Sequence, residues 1–355
     1  MKSIHILIVL CLLLLLITNT TIVSSPLTAI QGRITDAETN QPVFFANVFL
    51  ADTRIGTTSD SSGEYRIKNC PPGQYELVVH HVGYETIITN IRYDGKNPII
   101  YNFRLNVKIL QGEELTVTAA KPKKWKKNLK IFEKYFLGES VNARRTKILN
   151  PEVLHLNYDP ETGFLTAKAD DILLIENHAL GYNINALLMY FQWYNMRGLR
   201  SDKNKTFENC YFTVKLNYEE MTPKNDKQHK KWLQNRERTY KGSFKHFLAA
   251  VAKKRLKKEK FVLSADDFIL PADELKTVYD DSLNLYRLSF DKMIKIMYYG
   301  SRPKQTNWLQ MKTEHVTIDT LGTLYDRSPF VFIKEGKWKE ERVADWLPLD
   351  YTPNK

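Results

Sequence analysis

Short apolar runs alternate with polar turn clusters over residues 28–119. Two of the turns are strong, because the cluster Asp60-Ser61-Ser62-Gly63 ends in glycine and Pro71-Pro72-Gly73 presets the backbone for a reversal. Alternation of apolar and polar side chains between such turns, as at residues 65–67, is typical of a half-buried strand. The pattern predicts about seven or eight short strands, an arrangement that favours an all-β sandwich.

The region after residue 128 mixes helical and strand periods, and it predicts an α+β domain. A helix over 129–138 precedes a hairpin of strands 153–158 and 164–169. Residues 182–194 are apolar and fit either a strand or a buried helix. A helical stretch over 226–258 starts at a potential cap, Asp226, and is divided at Gly242-Ser243. Further strands are predicted at 172–176, 207–216, 283–290, 294–299, 316–318 and 330–333.

The first 25 residues have the order of a secretory signal peptide. Lys2 supplies a positive start, residues 4–17 are apolar apart from His5, and Val23-Ser24-Ser25 offers small residues for cleavage. An uncleaved membrane anchor is the alternative, but the apolar run is shorter than the roughly 20 residues that a span needs. The sequence therefore predicts an exported protein that is periplasmic or associated with the outer membrane or cell surface, and that is not an integral membrane protein after cleavage.

Several motifs in the strand-rich region resemble the carboxypeptidase-regulatory-like domain. The resemblance covers residues 30–105 and implies a transthyretin-like (prealbumin-like) β-sandwich that is not catalytic and is attached to another domain. Its common hosts are secreted peptidases and TonB-dependent transporters. The motifs are Gly32-Arg33-Ile34-Thr35-Asp36, Pro42-Val43, Ala46-Asn47-Val48, Asp60-Ser61-Ser62-Gly63-Glu64-Tyr65, Pro72-Gly73-Gln74-Tyr75 and Gly83-Tyr84.

Neither common host fits the rest of the chain. A transporter barrel needs many strands, whereas only about 235 residues remain and they include long helices. A zinc carboxypeptidase is unsupported, because residues 121–355 contain no HExxH motif and no clustered histidine and glutamate ligands.

A second resemblance, to a C-terminal region found behind this sandwich in uncharacterised envelope proteins, covers most of residues 130–350. It implies no known activity. Its blocks are Phe136-Leu137-Gly138, Ile175-Glu176-Asn177, Leu180-Gly181-Tyr182, Trp232-Leu233-Gln234-Asn235-Arg236, Tyr240-Lys241-Gly242-Ser243, His246-Phe247, Trp338, Arg342, Ala344-Asp345 and Leu347-Pro348.

These patterns divide the chain into four segments. We expect a signal peptide at residues 1–25, the sandwich at 26–119, a basic linker at 120–128 and the α+β domain at 129–355. The proline at position 122 breaks the preceding strand, and the surrounding lysines keep the linker solvated.

The charge is unevenly distributed between these segments. The chain carries a net charge of +12. Residues 26–120 are slightly acidic, with 8 Lys and Arg against 10 Asp and Glu, so residues 121–355 hold the whole basic excess. Such asymmetry indicates an acidic partner or surface, or else only a solvated basic face. For an exported protein the candidate partners are an envelope glycan, an anionic lipid surface or another envelope protein, and not nucleic acid.

A mixed aromatic and polar stripe within residues 232–247 is the main candidate ligand site. On one continuous helix these residues would lie on or beside one face, where aromatic rings could stack on a sugar while polar groups donate hydrogen bonds. The alternative is that the aromatic rings are core anchors and that the arginine pairs with a carboxylate. The candidate ligand-binding residues are Trp232, Asn235, Arg236, Tyr240, Ser243 and His246.

A basic cluster follows the stripe. It could contact an anionic surface, or it could be a solvated helix end that complements the helix dipole. The candidate contact residues are Lys253, Lys254, Arg255, Lys257 and Lys258.

Catalytic and metal-binding signatures are weak. Glu176 and His178 could serve acid-base chemistry at a strand end, but a structural turn is the simpler interpretation. The neighbouring pairs Asp170-Asp171, Asp266-Asp267 and His80-His81 would point to opposite faces of a strand.

Cys70 and Cys210 lie in different predicted domains, which favours two free or buried thiols over a disulfide. We therefore expect no cofactor, metal or catalytic residue, and a non-enzymatic binding or structural role. The alternative is a hydrolase that acts on an envelope polymer through residues 129–355.

Overall fold

The computed structural model describes residues 28–108, 123–197, 206–265, 268–283, 285–301, 303–325 and 332–353. The predicted signal peptide, the last strand predicted before residue 119 and Asp266-Asp267 lie outside these residues. Among the described residues, no helix combines the length and apolarity that a membrane span requires.

The N-terminal domain is a β-sandwich, as predicted. One sheet has the order β4-β1-β7, with β8 also paired to β1, and the other has the order β3-β2-β5-β6. The apolar run at residues 99–105 forms two short strands. The strands are β1 Thr28–Asp36, β2 Asn47–Leu50, β3 Gly56–Thr58, β4 Glu64–Lys68, β5 Gly73–His80, β6 Ile87–Tyr93, β7 Ile99–Ile100 and β8 Phe103–Leu105.

The alternation read from the sequence forms the sandwich core. In β4, Tyr65 and Ile67 are buried while their neighbours are exposed. They pack with Ile34, Leu77 and Leu105 between the two sheets. Gly63 has φ +76°, a conformation that favours glycine, and an added Cβ there would lie 2.4 Å from the carbonyl oxygen of Ile34.

An antiparallel sheet with a long central strand follows the sandwich. Strands β12 and β11 pair with the two ends of one edge of β13, and β14 pairs along its other edge. The strands are β9 Thr146–Ile148, β10 Leu154–Tyr158, β11 Phe164–Ala169, β12 Leu173–Asn177, β13 Tyr182–Arg197 and β14 Thr206–Glu220. The apolar segment at 182–194 is therefore a strand, and the predicted hairpin β10–β11 is present.

Helix α1 (Lys123–Phe136) covers this sheet and begins earlier than predicted. The linker predicted at 120–128 is thus helical from Lys123 onward. The reason is that this segment is anchored by tertiary packing: the indole Nε1 of Trp125 donates to the Leu154 carbonyl at 3.2 Å, and Asn128 is buried. Farther along, the Phe132 ring lies 4.7 Å from that of Phe191.

Two further sheets and three α-helices complete the described part of the chain. The order β16-β15-β19-β20-β22 forms one sheet and β17-β18-β21 another. The strands are β15 Phe261–Ala265, β16 Phe268–Leu270, β17 Lys276–Asp280, β18 Leu285–Ser289, β19 Ile294–Tyr298, β20 Gln305–Met311, β21 Val316–Ile318 and β22 Phe332–Gly336; the helices are α2 Asp226–Tyr240, α3 Phe244–Ala252 and α4 Lys337–Glu340.

The helical region is shorter than the predicted 226–258. It divides after Tyr240, as expected, but it ends at Ala252, and turns occupy the residues up to Lys260. The cap of α2 is Asn225 rather than Asp226, since the Asn225 side chain accepts a hydrogen bond from the Gln228 amide at 2.9 Å. In the region after residue 128, strands β9, β15, β16, β17 and β20 were not predicted.

The turn at residues 51–54 joins the sandwich to the rest of the chain. The Asp52 amide donates to the Leu216 carbonyl at 2.6 Å, and the Tyr218 amide donates to the Thr53 carbonyl at 2.9 Å. The Leu349 amide then donates to the Asp52 carbonyl at 2.7 Å. The turn therefore lies between β14 and the C-terminal segment, and backbone hydrogen bonds hold both sides.

Charged and apolar contacts reinforce the junction. The Arg54 side chain bonds Asp350 at 2.8 Å and Glu220 at 2.6 Å, and Arg236 reaches the same Glu220 carboxylate at 3.1 Å. Nearby, the largely buried Lys215 contacts Glu76 of β5 at 2.7 Å. A small apolar cluster spans the same boundary; its members are Phe49, Ala51, Val78, Ile172 and Leu187.

The ion pair between Glu76 and Lys215 supplies a stability prediction. We expect Glu76→Leu to lower the free energy of unfolding by about 1–3 kcal/mol, because it leaves the Lys215 ammonium desolvated without this carboxylate. Addition of Lys215→Met should recover most of the loss. Urea unfolding of the two variants measures both effects, and an equal loss in the double variant would contradict the explanation.

The Glu220 carboxylate supplies a pH prediction. Burial alone would raise the pKa of Glu220, but the charge of Arg236 and hydrogen bonds from Arg54 and Arg236 hold that pKa below its usual value of 4.5. A lowered folded pKa contributes stability above the unfolded pKa, and this stability is lost as the pH falls through the folded pKa.

We therefore expect Glu220→Gln to destabilise the protein near neutral pH, with a penalty that shrinks below about pH 4. Denaturant titrations across the pH range measure the penalty. The neighbouring exposed residue gives the control variant, Glu219→Gln, which should show no such dependence. A Glu220→Gln penalty of constant size would rule out the proposed linkage.

Candidate functional site

A cleft of about 520 Å³ lies between the sandwich and the three-stranded sheet. The sandwich contributes the start of β5 and the end of β6, and the other wall comes from the β17–β18 hairpin and the loop after β21. Sites for small ligands occur preferentially at such domain boundaries. The residues that line the cleft include Arg92, Tyr93, Asp94, Lys96, Tyr279, Tyr286, Asp319, Leu321 and Tyr325.

Tyrosine rings form much of the cleft wall. Tyr279 and Tyr286 are directly opposite each other in the β17–β18 ladder, so their side chains lie on the same face. Their ring centroids are 5.1 Å apart at an interplanar angle of 55°. Tyr279 is 44% exposed, whereas Tyr93 on the sandwich side is buried. The cleft therefore has an accessible aromatic ring, that of Tyr279, which packs against the ring of Tyr286.

The sandwich wall is fixed by its turn chemistry. The Tyr75 hydroxyl donates to the Pro71 carbonyl at 2.9 Å, which holds the Pro71-Pro72-Gly73 turn. The Asp94 carboxylate accepts from the Lys96 amide at 2.8 Å in the next turn. The Arg92 guanidinium donates across the cleft to the Ser282 carbonyl in the β17–β18 turn. Both walls are thus connected directly.

Asp319 organises the opposite loop. Its Oδ1 accepts from the amides of Leu321 and Thr323, each at 2.8 Å, and its Oδ2 accepts from the Tyr325 hydroxyl at 3.2 Å. One carboxylate therefore positions both Leu321 and Tyr325 at the cleft.

The charges of the cleft balance. Arg92 and Lys96 supply two positive charges, and Asp94 and Asp319 supply two negative ones. The Lys96 amide hydrogen bond lowers the pKa of Asp94, so this carboxylate stays ionised. A general acid needs the opposite shift. The cleft is therefore suited to a neutral ligand with hydroxyl and amide groups rather than to proton transfer.

The residues of the predicted ligand-binding stripe are mostly buried. Trp232, Asn235 and Arg236 of α2 are all buried. Their side chains donate to the carbonyls that follow β12: Trp232 to His178 at 3.0 Å, Asn235 to Ala179 at 2.7 Å and Arg236 to Leu180 at 2.7 Å. Arg236 also lies over the Tyr182 ring, with 3.9 Å from its Cζ to the ring centroid.

The other residues of the stripe have structural contacts as well. Tyr240 is buried with His246, with ring centroids 4.8 Å apart. Ser243 caps α3 by accepting from the His246 amide at 3.1 Å, and the His246 ring bonds the Gly242 amide and the Glu259 carboxylate. The expected single face is divided between two helices, because the chain turns at Gly242. The burial of all these residues except Ser243 favours the core alternative, and ligand binding by these side chains stays a prediction.

Gly181 explains why this packing is so close. Its φ is +72°, and an added Cβ would lie 2.3 Å from the Trp232 ring. A glycine is therefore required where the turn after β12 meets α2.

The predicted basic cluster is on the surface. Lys253, Lys254, Arg255, Lys257 and Lys258 are all exposed, and they lie on the turns between α3 and β15, beginning with Lys253 as the C-cap of α3. Their contact with an anionic surface stays a prediction. A second basic groove, of about 890 Å³, lies at the start of α2. Its lining includes the predicted ligand residue Trp232 and the basic residues Arg145, Lys224, Lys227, Lys230 and Lys231.

The weaker catalytic candidates pair locally. His178 bonds Glu176 at 2.9 Å, His80 bonds Asp171 at 3.2 Å, and His155 bonds Asp170. Asp170 and Asp171 therefore have different partners, and they lie in the bend between β11 and β12 rather than on a strand. The alternative hydrolase function, for which Glu176 and His178 were the candidates, stays untested. Among the described residues, no cluster of three or more His, Cys, Asp or Glu side chains could hold a metal ion.

Both predicted thiols are free. Cys70 is buried in the sandwich, and Cys210 is half-buried beneath α1. Burial raises the pKa of the Cys70 thiol to about 11 and that of the Cys210 thiol to about 12. Both are therefore protonated and weakly nucleophilic near neutral pH.

Sequence reasoning missed the cleft residues. Tyr279 and Tyr286 flank the polar turn Asp280-Asp281-Ser282, and this spacing could have indicated an aromatic hairpin. Their proximity to Arg92 and Asp94 carried no sequence signal, because the two walls are nearly 200 residues apart.

A comparison with protein families confirms the first resemblance. Residues 30–117 match the CarboxypepD_reg-like domain. None of the curated proteins compared with the chain matches it.

Solved structures with partial similarity have low overall agreement. A protein from Bacteroides uniformis ATCC 8492 that is proposed to bind carbohydrate is 10% identical, with a TM-score of 0.20 over 83% of this chain and 100% of that one. A 9R-lipoxygenase from Cyanothece PCC8801 is 12% identical, with a TM-score of 0.17 over 67% of this chain and 49% of that one.

A third structure, of a protein of unknown function from Bacteroides fragilis NCTC 9343 that is proposed to be membrane-associated, is 11% identical. Its TM-score is 0.17, over 81% of this chain and 91% of that one. At these scores none of the three structures contributes to a functional argument.

Proposed function

We propose that this protein is a non-enzymatic envelope protein that binds a neutral oligosaccharide in the cleft between its sandwich and its three-stranded sheet. The observation that carries the proposal is the pairing of accessible tyrosine rings with a charge-balanced polar rim in one cleft. A sugar presents an apolar ring face and a rim of hydroxyl groups, so it requires both kinds of contact.

The tyrosines supply the stacking surface. Tyr279 is partly exposed beside Tyr286, and Leu321 extends the apolar wall. Aromatic side chains bury large areas at low conformational cost, and their hydroxyl groups can also reach a polar ligand. Hydrogen bonds donated by Arg92 and Lys96 and accepted by the Asp94 carboxylate would then fix the orientation of the sugar.

The same geometry supports binding without hydrolysis. Glycosidases need one carboxyl group with a raised pKa and a second carboxyl group at a defined distance. Here the pKa of Asp94 is lowered, and both oxygens of Asp319 are committed to its own loop.

The proposed address in the envelope rests on the first 25 residues. If they act as a signal peptide, the mature protein should begin near Pro26 and should fractionate with the envelope. N-terminal sequencing of the protein recovered from cell fractions measures both properties. Recovery of intact Met1 on a cytoplasmic product would contradict this part of the proposal.

Binding at the cleft can be tested with a panel of neutral oligosaccharides, such as chitotetraose, mannotetraose and galactotetraose, by isothermal titration calorimetry. We expect at least one of them to bind. Tyr279→Ala should weaken that binding about tenfold, because it removes the stacking contact between ring and sugar, and a tenfold loss corresponds to roughly 1.4 kcal/mol. Asp94→Asn should weaken it as well, through a lost hydrogen-bond acceptor.

A matched control is Tyr190→Ala. Tyr190 is 47% exposed, close to the 44% of Tyr279, and it lies on β13 away from the cleft. It should leave binding unchanged. Equal effects of the two variants, or no binding of any neutral oligosaccharide, would overturn the assignment.

A further inference from the structure

The outer face of the five-stranded sheet carries a regular aromatic and basic pattern. In β19, Ile294, Ile296 and Tyr298 are buried, so the alternate residues Lys295 and Met297 point outward. In β20, Asn307 and Leu309 are buried and Trp308 points outward. Tyr299 continues the outward row just beyond β19 and is 51% exposed.

Two lysine–aromatic pairs stand on this face. Lys295 and Trp308 are opposite each other in the β19–β20 ladder, and the Lys295 ammonium lies 6.0 Å from the Trp308 ring centroid. The Lys304 ammonium lies 5.6 Å from the Tyr299 ring centroid. Both distances are within the range of a cation–π contact.

The spacing of the pairs suits an extended ligand. Lys295 and Tyr299 are four residues apart along one strand direction, which corresponds to about 13 Å. Between the two pairs, Met297 is opposite Thr306 in the ladder, and neither residue carries a charge. The two pairs can therefore contact separate units of one chain.

The basic turns before β15 adjoin one end of this row. The Tyr299 amide donates to the Lys260 carbonyl at 3.0 Å, which places Lys260 next to the Tyr299 and Lys304 pair. Lys257 and Lys258 precede it on the same exposed turn. At the other end, Glu335 is opposite Trp308, but it is paired with Lys339 at 2.9 Å. Because Glu335 is already paired with Lys339, it neutralises little of the positive charge of Lys295 and Lys304.

We propose that this row, defined by Lys295, Trp308, Tyr299 and Lys304, is a second site that binds an acidic polysaccharide. The rings stack on sugar units while the neighbouring ammonium groups pair with the carboxylates those units carry. The site is separate from the cleft, and it does not depend on the neutral ligand proposed there.

The geometry favours a glycan over a lipid surface. Trp308 is only 36% exposed and is packed among the outward residues of a sheet, so its ring offers a flat contact rather than an inserted wedge.

The test measures binding of the purified protein to oligogalacturonate, an acidic probe, at low and high salt. We expect binding that weakens with salt. Trp308→Ala should reduce affinity about tenfold, equivalent to roughly 1.4 kcal/mol. Trp308→Phe should retain most of the affinity, since it keeps an aromatic ring. Retained binding in this variant would show that substitution at this position leaves the fold intact. The double variant Lys295→Gln/Lys304→Gln should reduce both the affinity and its salt dependence.

Matched controls separate this site from the other surfaces. Lys227→Gln/Lys230→Gln removes two charges from the groove at α2, and Tyr279→Ala alters the cleft; both should leave oligogalacturonate binding unchanged. The proposal is overturned by absent binding, by loss of binding only in the α2 groove variant, or by binding to phosphatidylglycerol vesicles but not to oligogalacturonate. A failure of the cleft variants to affect neutral sugars would bear only on the earlier proposal.

Discussion

The structure depends on the docking of one sandwich turn between β14 and the C-terminal segment. The backbone groups of Asp52 and Thr53 form hydrogen bonds with β14 on one side, and the Asp52 carbonyl accepts from the C-terminal segment on the other. The turn therefore acts as an extra strand segment in the second domain. Lys245 holds the C-terminal segment in place by donating to the carbonyls of Pro348, Leu349 and Tyr351. Because the buried amides on all three segments depend on each other, displacement of one segment would leave several backbone groups without partners.

This junction explains the charge distribution near it. Arg54 and Arg236 converge on Glu220 from different domains, and Arg236 is held by carbonyls after β12. Arginine can satisfy such an arrangement because its planar group has several donors in fixed directions. Part of the basic excess of the C-terminal region is therefore structural, and the rest lies on the exposed turns and grooves.

The sequence predicted elements that are specified locally. The sandwich follows from turn residues such as Gly63 and Gly73 and from alternation in β4. Hairpin β10–β11 and the division of the helices at Gly242 were also readable. Strand β20 was missed because Gln305-Thr306-Asn307-Trp308 has no simple period. The polar residues Asn235 and Arg236 suggested a surface, but their partners lie more than 50 residues away, where a single sequence gives no signal.

The shared walls of the tyrosine cleft have a thermodynamic consequence. Since the sandwich and the three-stranded sheet each supply one side, a ligand held there can bind tightly only when both stand in their observed orientation. Occupancy and orientation are then reciprocally linked, so that each favours the other by the same free energy. A sugar bound in the cleft would stabilise the observed orientation of the two domains. A change that distorts the junction between them would lower the affinity of the cleft for the sugar.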